Sequence, residues 1–229
     1  MLQTVLHVAR RVNKSKPTGI TTMSANAPGP TAAGTPLRRQ LTGTAPARPT
    51  ALDALYEAQR MFQAGQRVDM QSLARKLGVD RATLYRWVGS REQLLAEVLW
   101  NLMARTVQRL RESSRAGLCP VAADVVTGAA QAVMTNLGMQ RFLEREGDLA
   151  LKLLTTKASE FQRRLIQLIA EVVDTDRRNG HLHSAVPAAD LPYVLVRIME
   201  SYVYLSLITG DEPDAARASS VIHALLPAS

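Results

Sequence analysis

Between Asp69 and Leu95 the chain is punctuated at a spacing that short helices satisfy and strands do not. Asp69 precedes a segment carrying Leu73, Ala74 and Leu77, and Gly78 closes it; Asp80 opens a second segment, Arg81 to Val88, which Gly89 breaks. An aspartate before a helix accepts hydrogen bonds from first-turn N–H groups, and glycine reaches the positive φ that a tight helix end requires. Ser90-Arg91-Glu92-Gln93 has the spacing of a capping box and opens a long helix, 91–113, with Leu94, Leu95, Val98, Leu99, Leu102, Met103, Val107 and Leu110 on one broad side. Upstream, Thr50 is a candidate N-cap for a first helix whose Leu52, Leu55, Ala58 and Phe62 fall three or four apart, with Gly65 as its stop.

The same periodicity continues to the end of the chain. Breakers divide it into helices from Pro120 to about Leu137 (ended by Gly138), Gln140 to Thr155 with a bend near Gly147, Ser159 to Asn179, Asp190 to Gly210, and about Asp211–Asp214 to Pro227. No segment alternates with period two, and no internal repeat is visible. The fold class expected is all-α, a three-helix helix-turn-helix head followed by a helical domain. Aromatic residues at 4% and abundant aliphatic helix formers agree with it. The boundaries expected are 1–49 for a tail, 50–96 for the head and 97–229 for the second domain.

Charge is distributed unevenly. Residues 1–49 hold seven basic and no acidic side chains, residues 50–118 eleven basic and seven acidic, and residues 119–229 ten basic and thirteen acidic, within a total of +8. A basic front on a mildly acidic back suits a polyanion-binding end joined to something else, or simply an uneven solvated surface. Pro17, Pro28, Pro30, Pro36, Pro46 and Pro49, with little bulky apolar surface between them, predict a disordered tail. Its opening segment, MLQTVLHVARRV, reads as an extension ahead of a start at Met23, as a superficial likeness to a transit peptide, or as a basic arm for DNA. One cysteine, Cys119, fits a reducing cytosol and leaves no disulfide framework. No apolar run approaches the roughly 18 residues of a membrane span, so no membrane partner is expected.

The run MQSLARKLGVDRATLYRWVGSREQLL, residues 70–95, carries the chemistry. Two short helices about a turn at Gly78 make a helix-turn-helix, whose second helix fits a DNA major groove. Leu73, Leu77, Val79, Leu84 and Val88 can form a small core with Phe62 and Leu94. Arg81, Ala82, Thr83, Tyr85, Arg86 and Trp87 are left facing outward. Arginine can bridge guanine O6 and N7, alanine or threonine can meet a thymine methyl, and tyrosine can bond a phosphate. The plain alternative is a helical hairpin with solvated arginines.

This stretch resembles the TetR-type transcriptional regulators. The likeness covers the first helix, SLARKLGV, the triplet Thr83-Leu84-Tyr85, and Ser90, Arg91, Glu92, Leu94 and Leu95, about 50 residues followed by an all-helical remainder. The resemblance implies a homodimer on double-stranded palindromic DNA, with a C-terminal domain that accepts a small-molecule effector. It also implies a bacterial cytoplasmic protein, nucleoid-associated when bound to DNA. Residue by residue, it puts base reading on Arg81, Ala82, Thr83 and Arg86, phosphate contacts on Tyr85, Trp87 and Arg91, and a DNA-facing position on Thr50. Trp87-Val88 departs from the histidine-phenylalanine that commonly ends the recognition helix, so that contact has an indole N–H and no imidazole. The stretch LYRWVGSREQLL also looks like the branch linked to quorum-signal lactone degradation in actinobacteria, which makes a lactone the first expectation for the effector.

The helix LPYVLVRIMESYVYLSLITG, residues 191–210, is apolar around much of its circumference, as a helix buried on several sides is. With Val221, Ile222, Leu225 and Leu226 of the last helix it reads as core and as a subunit interface, the role the resemblance gives these two helices. Arg197 and Glu200, three apart, satisfy each other or converge on a ligand with Tyr193 and Tyr204. Arg145, with Glu144 and Asp148, is a second polar group on an apolar helix. Trp100, Met103, Met134, Phe142 and Phe161 are candidates for a pocket lining or for plain core. His181 and His183 lack companions at ligand spacing, so no metal is expected. No nucleophile elbow or glycine-rich phosphate loop is present, and neither an enzyme nor a cofactor is expected.

The reading is a ligand-responsive repressor with the long helix 91–113 as its lever. Two alternatives stay open: an activator or ligand-independent regulator, and a small all-helical enzyme or scaffold with an incidental basic front.

Overall fold

In the computed structural model, which describes residues 48–114 and 121–227, the caps read from the sequence are made by the expected atoms. Helix α1 (Ala51–Gln63) starts at Thr50, whose backbone N–H donates to the Asp53 carboxylate at 2.7 Å while the Asp53 N–H donates back to the Thr50 hydroxyl. Helix α2 (Met70–Leu77) is capped by Asp69, which accepts from the Ser72 N–H at 2.8 Å. Helix α3 (Arg81–Val88) is capped by Asp80, which accepts from the Thr83 N–H at 2.7 Å. Gly78 sits at φ 66° in the turn between α2 and α3, the left-handed conformation that a side chain would strain. Helix α4 (Arg91–Ser114) opens on reciprocal bonds between Ser90 and Gln93.

Helices α2 and α3 have eight residues each, too short to persist alone, so tertiary burial holds them. Leu73 and Leu84 are fully buried, with Phe62 and Leu94 beside them; Leu77, Val79 and Val88 are partly buried against the same core. The apolar stripe of α1 is displaced from the one expected. Ala54, Ala58, Met61 and Phe62 face inward, whereas Leu52 is 48% exposed.

Beyond the head, α5 (Val121–Met134) is the hub. It packs against α4, against α7 (Phe161–Arg178), against α8 (Leu191–Val203) and against α10 (Ala215–Leu225). Its composition permits this: Ala122, Ala123, Val125, Val126, Ala129 and Ala130 are all buried and small enough for close helix approach on several sides. Asp214 caps α10 by accepting from the Arg217 N–H at 2.8 Å. A 3-10 turn, Lys157–Ser159, precedes α7. Among the described residues no strand occurs, and none of their helices is long and apolar enough to cross a membrane. All of them lie within a single contact unit, Arg48–Ser229. The expected tail, apart from residues 48 and 49, lies outside the described residues, as do Cys119 and Pro120.

Two helix ends differ from expectation. The break after α5 falls at Thr135–Asn136, where Asn136 caps α6 (Leu137–Thr155) by accepting from the Met139 N–H at 2.9 Å. Gly138 is therefore not a stop but a buried first-turn residue of α6. A Cβ there would lie 2.1 Å from the Phe62 carbonyl oxygen, so glycine is what lets the end of α1 approach the start of α6. The helix expected to run from 191 to 210 is interrupted at Tyr204, after which a single turn, α9 (Leu205–Ile208), follows. The bend expected near Gly147 is present one residue earlier, at Glu146, with φ −138° and ψ 42°.

The approach of α1 to α6 yields a stability prediction. Gly138→Ala drives a methyl into a backbone carbonyl that cannot rotate away. It is expected to cost about 1–3 kcal/mol in urea unfolding, the usual range for overpacking; an unchanged midpoint would contradict the close approach.

Candidate nucleic-acid interface and internal cavity

Helix α3 is fastened by Leu84, which is fully buried, and presents the rest of its surface outward. Arg81, Ala82 and Arg86 are exposed, and Tyr85 is 41% exposed. The Arg81 guanidinium lies 5.9 Å from the centroid of the Tyr85 ring. Thr83 is half-buried, and its hydroxyl donates to Asp80 at 2.8 Å. Accepting that bond and the Thr83 N–H holds the Asp80 carboxyl below the usual carboxylate range. Trp87 packs partly against the core, so its outward surface is smaller than expected. Thr50 is exposed at the start of α1, with its hydroxyl engaged by Asp53.

Arg91 is the site residue whose surroundings depart most from expectation. Its guanidinium forks onto Glu146, with Nη1 to Oε2 at 2.8 Å and Nη2 to Oε1 at 2.7 Å, while Nε donates to the Val68 carbonyl at 2.6 Å. A guanidinium held in that geometry braces the head against the bend of α6. Hydrogen bonding by Arg91 holds the Glu146 carboxyl below its ordinary range against the opposing effect of burial, and the charge of Arg67 adds to the lowering. The partner lies 55 positions away, so no local pattern announces it.

A partly open cavity of about 60 Å³ lies between the helices of the body, room for roughly four waters. Met103, Phe161, Glu200 and Tyr204, four of the ten candidate ligand residues, line it. The other six are elsewhere. Trp100 meets Phe161 edge-on at 6.2 Å and carries the Arg164 guanidinium 4.2 Å above its ring. Met134 is partly buried at the end of α5, outside the cavity wall. Phe142 packs edge-on against Phe62 at 5.8 Å. With Arg145, which donates to the Gly65 carbonyl at 3.4 Å, it borders a separate small pocket between α1 and α6. Tyr193 is 55% exposed, with the Arg197 guanidinium 5.3 Å from its ring centroid. Arg197 turns its charge on Glu200 at 2.6 Å.

Sequence reasoning missed the cavity's other wall residues, among them Phe62, Thr106, Asn136 and Met139. Their apolar members carry the same periodicity as ordinary core, so spacing alone does not distinguish them. Gln162 was missed as well; it donates to Glu200 and accepts from Arg197, tying the pair to α7. Burial pushes the Glu200 carboxyl above its usual range, partly offset by Gln162 and Arg197, and burial likewise raises the Tyr204 hydroxyl. Among the described residues no group of histidine, cysteine, aspartate and glutamate is placed to hold a metal ion; His181 and His183 follow the end of α7.

A capped pair of short helices, with the second held by one buried leucine and its basic face open, defines a helix-turn-helix DNA-binding protein. Comparison with known proteins narrows the class. Residues 120–227 match the family described as "Tetracyclin repressor-like, C-terminal domain". A solved structure, the transcriptional repressor QsdR of R. erythropolis from the TetR family, superposes with a TM-score of 0.67 at 29% identity. The match covers 80% of this chain and 97% of that one. The chain is also 24% identical over 159 residues to the uncharacterized HTH-type transcriptional regulator YdgC of Bacillus subtilis (strain 168), a match covering 69% of this chain and 80% of that protein. Nearly half of the chain thus matches a TetR-type C-terminal domain, and most of it resembles a TetR-family repressor in sequence and fold.

The Arg91–Glu146 brace has a pH signature. A carboxylate whose folded pKa is depressed contributes stability that is complete above its unfolded value and is lost as pH falls through the folded one. Both side chains are about four-fifths covered. Glu146→Gln is expected to lower stability by about 1–2 kcal/mol at pH 7, in the range for a charge-assisted pair of this kind. The difference from wild type should close as pH is taken below the ordinary glutamate range. Urea unfolding of both proteins at several pH values measures it, and a difference independent of pH would contradict the assignment.

Proposed function

We propose that this regulator is a homodimeric, ligand-responsive repressor that places α3 of each copy in successive major grooves of a palindromic operator, about 34–36 Å apart. One observation carries the reading: α3 is exposed along Arg81, Ala82, Tyr85 and Arg86 while Leu84 fixes it to the head. Arg81, Ala82, Thr83 and Arg86 read bases; Tyr85, Trp87 and Thr50 contact phosphate. The head is residues 50–96, and the remainder, 97–229, binds effector and dimerises.

The dimer reading is supported by apolar surface on the terminal helices. Tyr193 and Ile208 are 55% and 64% exposed, and Ile198 and Leu205 are only partly covered. Helices α8 and α10 pack together and supply a face that a second copy can cover across a two-fold axis. The effector is a small, mostly apolar molecule taken into the cavity, with a lactone as the first candidate. Its support is the apolar wall and the likeness of residues 84–95 to the lactone-linked branch. A ligand favouring a separation of the heads unsuited to DNA weakens operator binding, and by linkage DNA weakens ligand binding by the same factor. The repressor that this chain superposes on, at 29% identity, favours repression over activation.

Mobility-shift titration on a selected operator tests the interface. Arg81→Ala is expected to cost about 1–3 kcal/mol on that operator and little on unrelated DNA. Tyr85→Phe should weaken all duplexes alike. Equal loss from Arg81→Ala on every duplex would remove α3 from base reading.

A further inference from the structure

Positive charge gathers where the head meets the body. The small, partly open pocket between the end of α1 and α6, about 20 Å³, is lined by four arginines, Arg67, Arg91, Arg141 and Arg145, and by a single carboxylate, Glu146. Arg91 occupies both oxygens of that carboxylate, at 2.8 and 2.7 Å. The other three guanidiniums are weakly partnered. Arg67 stands 3.5 Å from Glu146 and makes no hydrogen bond among the described residues. Asp69, which the Arg67 charge also reaches, is committed to capping α2. Arg141 faces Glu144 at 3.5 Å in an exposed pair, and Arg145 has one long bond, to the Gly65 carbonyl at 3.4 Å. Arg141 and Arg145 are four apart on α6, so like charges share one face and repel. The negative pole at the end of α1 draws Arg145 to the Gly65 carbonyl, but leaves Arg67 and Arg141 with most of their donors unused.

We propose that this pocket binds a small phosphate-bearing anion through Arg67, Arg141 and Arg145. Guanidinium groups pair with phosphate oxygens in forked, charge-assisted hydrogen bonds. The three arginines arrive from two sides, Arg67 from the loop after α1 and the other two from α6. A tetrahedral phosphate presents oxygens in several directions to such a set, whereas a planar carboxylate presents two in one plane. A dianion also offsets more of the clustered charge than a monoanion does. The pocket floor has room for about one water, so an oxygen enters it while the rest of the anion lies at the mouth. There the Arg67 and Arg141 side chains are 67% and 49% exposed and free to close on it. The bound anion bridges the loop of the head to α6 of the body, beside the Arg91–Glu146 brace. Phe62 walls both this pocket and the apolar cavity, so a site for an anion and a site for an apolar molecule stand on opposite sides of one ring.

Calorimetric titration of the full-length chain with inorganic phosphate at about pH 8, where phosphate carries close to two negative charges, tests the site against sodium chloride of equal ionic strength. Saturable binding is expected, with a rise in thermal unfolding temperature that chloride does not reproduce. The double variant Arg67→Gln, Arg141→Gln changes two largely exposed side chains and should unfold at the wild-type temperature when phosphate is absent. It should bind phosphate about tenfold weaker or more, the scale of one lost charge-assisted hydrogen bond. Arg163→Gln, at an exposed arginine of α7 remote from the pocket lining, should bind phosphate as the wild type does. Failure of the wild type to bind phosphate beyond its response to chloride, or equal binding by the double variant, overturns the site. If the wild type does not bind phosphate while the double variant loses affinity for an arbitrary DNA duplex, the arginines serve the DNA backbone and the proposal falls.

Discussion

The end of α1 and the start of α6 approach so closely that only a hydrogen fits between the Phe62 carbonyl and the Gly138 backbone, a contact that joins the head to the body. Phe142 seals it edge-on against the Phe62 ring. The Arg91 fork on Glu146, with its third bond to the Val68 carbonyl, closes the other side by tying α4 and the turn before α2 to the bend in α6. This joint adds a second support to the packing of α1 and α3 on α4. The head's two motif helices are eight residues each, and α3 buries only Leu84 completely. Short helices of that kind take their order from what they are packed on.

The same joint touches the interior. Phe62 lines the cavity as well as the seam, and α4 contributes Leu99, Leu102 and Met103 to the cavity wall. Under the proposed mechanism an effector therefore reaches the head by two routes, through α1 at Phe62 and along α4. The sequence reading assigned the lever to α4 alone. What distinguishes the two routes is distance along the chain: α4 follows α3 directly, whereas Phe62 meets α6 across a long sequence separation.

Local signals in the sequence were reliable where the physics is local. The caps at Thr50, Asp69, Asp80 and Ser90 and the turn at Gly78 depend on residues within three or four positions, and they were read correctly. Of the six residues expected to face outward, Arg81, Ala82, Tyr85 and Arg86 do, because burial of Leu84 fixes the helical phase, while Thr83 and Trp87 are half-buried. Signals that depend on a distant partner were misread. Gly138 looked like a helix stop, since the carbonyl that requires it belongs to Phe62. The bracing bond of Arg91 was not foreseen, since Glu146 is 55 positions away. The helix after Asp190 looked continuous because its apolar pattern carries through Tyr204, where the backbone breaks. Trp100, Met134 and Phe142 share with the true wall residues the character of apolar side chains on inward faces, and periodicity does not say which inward faces border a void.

The proposed regulation rests on two copies of this chain each presenting α3 to successive turns of a duplex. Selection of bound DNA from a random library by the purified full-length protein tests it most directly. The account predicts a palindromic consensus with half-site centres about ten base pairs, or a multiple of that, apart. Recovered sequences without enrichment, or a consensus lacking two-fold symmetry, would contradict it.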